Sequence, residues 1–232
     1  MSVEKVFWNN PYLTQIDASV QSSDGEVITL DKTIFYAFSG GQESDSGFIG
    51  GLTVIRAEKR DKEIFYTIDS GNSLKPGQSV SVSIDWPRRY RLMRLHFAAE
   101  LVLELVFRNY DSPEKTGAHI SENKARLDFM WEGNISGIFP VLQEKLARII
   151  EGNLEIHSRF SDPENETRYW EIEGFGKAAC GGTHLRRTGE IGEIRLKRNN
   201  IGRGRERIEI TLADPHLNPY GGTPGITSPP LS

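Results

Sequence analysis

The sequence predicts an α+β chain: a small β-barrel over residues 1–87, an α/β domain over 88–213, and a Pro/Gly-rich tail over 214–232. Three observations carry that expectation. Short alternating apolar runs separated by turn residues fill the first part, with no helical spacing among them. Apolar residues at three- and four-residue spacing begin only after Trp86-Pro87 and recur around residue 140. Alternation then returns in the last third, so strands and helices are mixed rather than interleaved one by one.

In the first part, Ile16, Ala18 and Val20 alternate with polar residues before the turn Ser22-Ser23-Asp24-Gly25. Val27–Leu30 and Thr33–Phe38 read as further strands. Ile64, Tyr66 and Ile68 alternate after an Arg60-Asp61-Lys62 turn, and Val80, Val82 and Ile84 do so after Leu74–Gln78. One loop stands apart: Gly40-Gly41-Gln42, followed by Asp45-Ser46-Gly47. Glycines let backbone approach a ligand, and Gln42 and Asp45 offer hydrogen bonds to it. A plain hairpin connection explains the loop equally well.

From Arg88 to Asn109 the pattern is helical, with Leu92, Leu95, Ala99, Val102 and Val106 on one face. His96 and Glu100 are four residues apart and share a face, as ligands of one ion or as a wet His–Glu pair. Ala118-His119-Ile120 and Ala125–Phe129 suggest a hairpin. Ile138, Phe139, Leu142, Leu146, Ile149 and Ile150 mark a second amphipathic helix stopped at Gly152-Asn153. Leu154–Phe160, Tyr169–Glu173, Ile191–Lys197 and Arg207–Leu212 read as strands, giving a sheet covered on one face by two helices. The tail holds Pro215, Pro219, Pro224, Pro229 and Pro230 and is expected to be extended or disordered. His119, His157 and His216 have no partner at ligand spacing and are expected to be structural or exposed.

Composition sets the outer limits. The 232 residues are 37% hydrophobic and 26% charged, which describes an ordinary globular protein. Met1–Asn10 hold no signal-like apolar core, and Leu101–Phe107 is too short and too interrupted to span a bilayer. A single cysteine excludes an intrachain disulfide and fits a reducing compartment, so a cytoplasmic location is expected. The net charge of −4 argues against wholesale nucleic-acid binding. Basic residues nevertheless cluster at Arg88, Arg89, Arg91 and Arg94, and again from Arg186 to Arg207. Steering of a phosphate-bearing substrate and solvated, internally paired faces are equally open readings of both clusters.

The single cysteine stands in Ala179-Cys180-Gly181-Gly182-Thr183-His184. Thiolate and imidazole are the donors that Zn²⁺ prefers, and the intervening glycines let both converge. His96 and Glu100 are the candidates to complete the site.

Together these pieces resemble the free-standing alanyl-tRNA editing proteins, which are similar to the editing domain of alanyl-tRNA synthetase. The matching residues are Gly40-Gly41-Gln42 with Asp45-Ser46-Gly47, Arg94-Leu95-His96, Cys180-Gly181-Gly182-Thr183-His184 and Gly189-Glu190-Ile191-Gly192. Asn200–Gly204 and Arg207-Ile208-Glu209 extend the match, which covers most of residues 10–212. The resemblance implies a β-barrel followed by an editing-type α/β domain of the kind shared with threonyl-tRNA synthetase. It implies hydrolysis, in trans, of the ester joining a wrong amino acid (serine or glycine) to alanine tRNA. It also implies a zinc ion on a His-x-x-x-His helix pair and the Cys-x-x-x-His turn. His96, Cys180 and His184 match three of those ligands. Glu100 stands where the family has its second helix histidine, and Phe97 where a threonine usually follows the first. Gln42, Asp45 and Thr183 would shape the amino-acid pocket, and the partner would be the aminoacylated acceptor end of tRNA. Glu100 leaves three outcomes open: an active variant with an altered ligand, a carboxylate acting as base, or a metal site without catalysis. The readings from other classes are a non-catalytic tRNA-binding module and a zinc hydrolase of an unrelated small ester.

Overall fold

The structure is a computed structural model and describes residues 2–69 and 71–214. The tail expectation for 215–232, and His216 with it, lies outside the described residues.

The chain opens with β1 (Glu4–Lys5) and a single turn of helix, α1 (Val6–Asn9), followed by β2 (Gln15–Asp24), β3 (Val27–Leu30) and β4 (Lys32–Thr33). β5 (Gly47–Ile49), β6 (Leu52–Arg60), β7 (Glu63–Ile68) and β8 (Ser79–Ile84) complete the first half. β2, β3, β7, β6, β5 and β8 are neighbours in that order, and β8 pairs back onto β2, closing the ring. Alternation puts Val20, Ile28, Ile49, Tyr66 and Val82 into one apolar interior. Two expectations change here. Thr33–Phe38 is a strand only at its first residue, and the buried Ile34–Ala37 that follow run irregularly. β6, absent from the sequence reading, contains a register shift between Val54 and Arg56, which breaks the period-2 signal.

α2 (Trp86–Asn109) follows at once. Asp85 caps it by accepting from the Arg88 backbone N–H at 3.1 Å, and Pro87 occupies the first turn, where its missing N–H costs nothing. β9 (Lys115–Ile120) and β10 (Ala125–Met130) form the expected hairpin. After a short 3₁₀ turn comes α3 (Phe139–Glu151), then β11 (His157–Asp162), β12 (Thr167–Ile172), β13 (Gly176–Ala179), a second 3₁₀ turn (Thr188–Ile191), β14 (Ile194–Gly202) and β15 (Arg205–Leu212). The expected single sheet is two: a four-stranded β14-β15-β10-β9 and a three-stranded β11-β12-β13. α2 packs on β10, β15 and α3, so a second apolar cluster forms around Leu95, Leu101, Phe129, Leu142 and Ile210. No helix among the described residues is long and apolar enough to cross a membrane.

The junction between the two apolar clusters is polar. Asp45 of the glycine loop and Arg89 of α2 form an ion pair whose side chains are both 0% exposed. Arg89 also donates to the carbonyls of Pro11 and Ile34, and Asp45 accepts from the Tyr36 backbone N–H. The loop itself is clamped to β9: the Ile120 N–H donates to Gly41 O at 2.8 Å and the Glu43 N–H to Ile120 O at 2.9 Å. Gly41 has φ +85°, and a Cβ there would stand 2.9 Å from Ala118 O, so only glycine fits this approach.

Candidate metal centre

α2 supplies His96 from its buried face, and the turn after β13 supplies Cys180 and His184. His96 Nε2 lies 3.1 Å from Cys180 Sγ, and His184 Nε2 lies 3.2 Å from the same sulfur. Three donor atoms within 4.8 Å of one another can hold one metal ion. Gly182 makes the convergence possible: a Cβ there would fall 2.8 Å from His96 Nε2 and 3.0 Å from Gln42 Oε1. The sequence reading credited this glycine with a tight turn; its stronger role is to leave room for the imidazole.

Glu100 sits one turn along α2, with Oε1 3.5 Å from His96 Nε2. Trp170 of β12 donates its indole N–H to Oε2 at 3.0 Å, which fixes the carboxylate beside the cluster. On the other side, Ser158 Oγ lies 2.8 Å from His184 Nδ1. That contact is compatible with the tautomer a metal needs, in which Nδ1–H donates to the hydroxyl and Nε2 is free to ligate.

Burial governs the electrostatics. It pushes the Cys180 thiol well above its ordinary range, with the Glu100 charge adding to the effect. Burial lowers both imidazoles; His96 and Arg168 push His184 further in that direction, while Glu100 opposes the shift at His96. Two neutral imidazoles and a protonated thiol are a donor set waiting for a cation, since a metal favours the thiolate that burial disfavours.

The remaining expected site residues divide. Gln42 is 0% exposed; its amide donates to Thr183 Oγ1 at 3.1 Å, and its Oε1 has no partner among the described residues. Gln42 and Thr183 thus meet against the cluster. Asp45 is taken up by its pair with Arg89 and the Tyr36 N–H and is not part of the three-donor group.

Of the first basic cluster, Arg88 pairs with Glu43 and Glu122, Arg91 with Glu122, and Arg94 donates to the carbonyls of Ile191 and Asp214. Those arginines are committed internally. In the second, Arg198 pairs with Glu206 and Arg207 with Asp128, while Arg203 and Arg205 make no ion pair among the described residues.

A cleft of about 390 Å³ opens beside His184, walled by Trp8, Asn10, Ser158, Arg168, Gly182 and Arg186 among others. Sequence reasoning missed Trp8, Ser158, Arg168 and Trp170. Arg168 and Trp170 did carry a signal: both occupy the inward phase of β12, shared with Ile172.

Comparison with known proteins agrees with this geometry. Residues 168–209 match the family model of the threonyl and alanyl tRNA synthetase second additional domain, and residues 3–88 that of class II (A) tRNA synthetases. The chain is 33% identical to an alanyl-tRNA editing protein AlaX-M of Saccharolobus solfataricus, over 90% of this chain and 98% of the relative. It is 32% identical to the AlaX-M protein of Pyrococcus horikoshii, over 90% of this chain and 97% of the relative. An alanine–tRNA ligase of Methanococcus aeolicus is 31% identical over 90% of this chain, which corresponds to 25% of the ligase.

Proposed function

The chain belongs to the family of alanyl-tRNA editing proteins, and from that premise we propose that it is a zinc-dependent deacylase of alanine tRNA carrying serine or glycine. The observation that carries this reading is the convergence of His96, Cys180 and His184 from α2 and the turn after β13, with Gln42 and Thr183 against them. The donor chemistry suits Zn²⁺. A tetrahedron with Zn–N near 2.1 Å and Zn–S near 2.3 Å has N···S edges of about 3.6 Å, so the observed separations need to open by only a few tenths of an ångström.

Glu100 is the fourth ligand in this reading. Its Oε1 is already beside His96, and Trp170 orients it. With Cys180 as thiolate, the two negative charges bring a divalent ion to about zero net charge. To supply Lewis acidity to the labile aminoacyl ester, a zinc held by these four donors would need a position opened by Glu100 leaving it or by expansion to a fifth ligand.

The chain's own residues supply selectivity. Gln42 Oε1 is an acceptor without a donor, next to the Thr183 hydroxyl. A serine hydroxyl would satisfy that acceptor, whereas alanine and glycine alike would leave it unpaired, so this contact favours serine. Reading a hydroxyl discriminates far better than excluding a methylene.

The test is deacylation of seryl-alanine-tRNA by purified protein, before and after metal stripping, with Glu100→His beside wild type. Chelator-sensitive turnover by wild type is expected. Silence from wild type with rescue by the histidine would assign Glu100 to retuning of the site. Silence from both, with metal and tRNA bound, would overturn the enzyme reading in favour of a binding module.

A further inference from the structure

The cleft beside His184 has an electrostatic character that the metal centre does not explain. Arg168 forms part of its wall and is only 4% exposed. A charge buried this deeply is ordinarily paired with an opposite one. Arg168 instead donates to two carbonyls, Trp8 O at 2.9 Å and Gly182 O at 3.4 Å, and lies 5.5 Å and 5.1 Å from the ring centres of Trp8 and Phe160. Its Nε has no acceptor among the described residues. Burial brings its pKa down to about 10, so at neutral pH it remains a cation without a carboxylate. Across the cleft, Arg186 lies 4.3 Å from the ring centre of Tyr12 and makes no ion pair among the described residues. Among the described residues, no aspartate or glutamate lines the cleft.

The charge of the metal centre does not answer Arg168. Under the function proposed above, on which this inference rests, the Cys180 thiolate and Glu100 are balanced by the divalent ion. Two arginines without a carboxylate partner among the described residues are then left lining a recess next to a ligand histidine. The substrate brings its nearest negative charge one ribose away from the ester to be cleaved, at the phosphate attached to the terminal nucleoside.

We propose that this cleft seats the phosphate on the 5′ side of the esterified terminal nucleoside, with Arg168 as its deep clamp and Arg186 as its outer one. Arg168 is then a positioning residue. Its hydrogen bonds to Trp8 O and Gly182 O tie the phosphate's position to the Cys180–His184 turn, so fixing the nucleotide also fixes the ester against the metal donors. Trp8 braces the arrangement by donating its indole N–H to Gly181 O at 2.9 Å.

Titration calorimetry of the zinc-loaded protein with adenosine 5′-monophosphate, adenosine and inorganic phosphate tests this directly. Wild type is expected to bind the monophosphate at least about tenfold more tightly than adenosine, the scale of a charge-assisted contact, and inorganic phosphate more weakly than the monophosphate. Arg168→Gln should erase the preference for the phosphorylated nucleoside, and Arg168→Lys should restore part of it. Equal binding of nucleotide and nucleoside by wild type would overturn the proposal. So would a preference retained in Arg168→Gln, which would leave the arginine a purely structural pin, or inorganic phosphate binding as tightly as the nucleotide. Should Arg168→Gln fail to fold, Arg186→Gln carries the test: a several-fold loss of the preference is expected, and no loss would overturn it. A phosphate preference without deacylation of seryl-alanine-tRNA would refute the proposed reaction and not the cleft. Deacylation without the preference would do the reverse.

Discussion

Two buried polar clusters lie at the junction of the apolar cores, and they differ in how completely their hydrogen bonds are used. Around Asp45 and Arg89 most of the capacity is used: the carboxylate takes two guanidinium contacts and the Tyr36 N–H, and two further guanidinium N–H groups reach Pro11 O and Ile34 O. Around His96, Cys180 and His184, Gln42 Oε1 and His96 Nδ1 are buried without partners, and three lone-pair donors face one another. The first arrangement has the character of a rivet, its opposite charges paired and neither polar side chain left without partners. The second is a socket, in which burial favours states that only a cation or substrate would complete.

The comparison is broken most forcefully by exchanging the phenotypes. Cys180→Ala should cost more than about 100-fold in zinc affinity, since even outer-shell partners are worth 10–100-fold, and deacylation should fall with it while the metal-free fold persists. Asp45→Ala should do the opposite, leaving Arg89 charged and buried without its partner at a cost of about 3–5 kcal/mol. Thermal unfolding should drop accordingly, while the folded fraction keeps its zinc stoichiometry. Loss of metal in Asp45→Ala without loss of stability would merge the two clusters into one functional unit. A smaller effect sharpens the contrast further: Ser158→Ala removes only the hydrogen bond to His184 Nδ1, and zinc affinity measured by competition with a chelator should fall about 10–100-fold.

The sequence made the socket legible in part because its pieces are local motifs. Cys180 and His184 share one turn, and His96 sits on a strongly periodic helix. The residues alone placed Gln42 on a glycine loop, and only the resemblance put it in one pocket with Thr183, because their contact depends on the loop docking on β9. The rivet was open in the sequence: steering and internal pairing of the arginines of 88–94 stood as alternatives because their partners, Glu43, Glu122, Asp45 and the Ile191 and Asp214 carbonyls, are remote in sequence or sit in loops. β6 was hidden by its bulge, and the second sheet by short strands around turns. Arg168 was missed because a cation in the apolar phase of a strand resembles noise until Trp8, Phe160 and Gly182 are seen around it.

The smallest effect, and the most specific to the socket, is a proton. Without metal, burial and the Glu100 charge hold the Cys180 thiol protonated well above neutral pH, while burial keeps His96 and His184 neutral at the same pH. Zinc requires the thiolate and the neutral imidazoles. Uptake should therefore release about one proton, from the thiol alone, and affinity should rise about tenfold per pH unit between pH 7 and 8.5. The imidazoles steepen that slope only below pH values at which they begin to charge, and their lowered pKa values move that limit toward acid. Calorimetric titration of zinc in buffers of different ionisation enthalpy counts the proton. No release at neutral pH would mean the thiolate already exists in the metal-free protein, stabilised by a cation. Among the described residues Arg168 is the cation placed to do that, so the same count also weighs whether its charge is reserved for a phosphate.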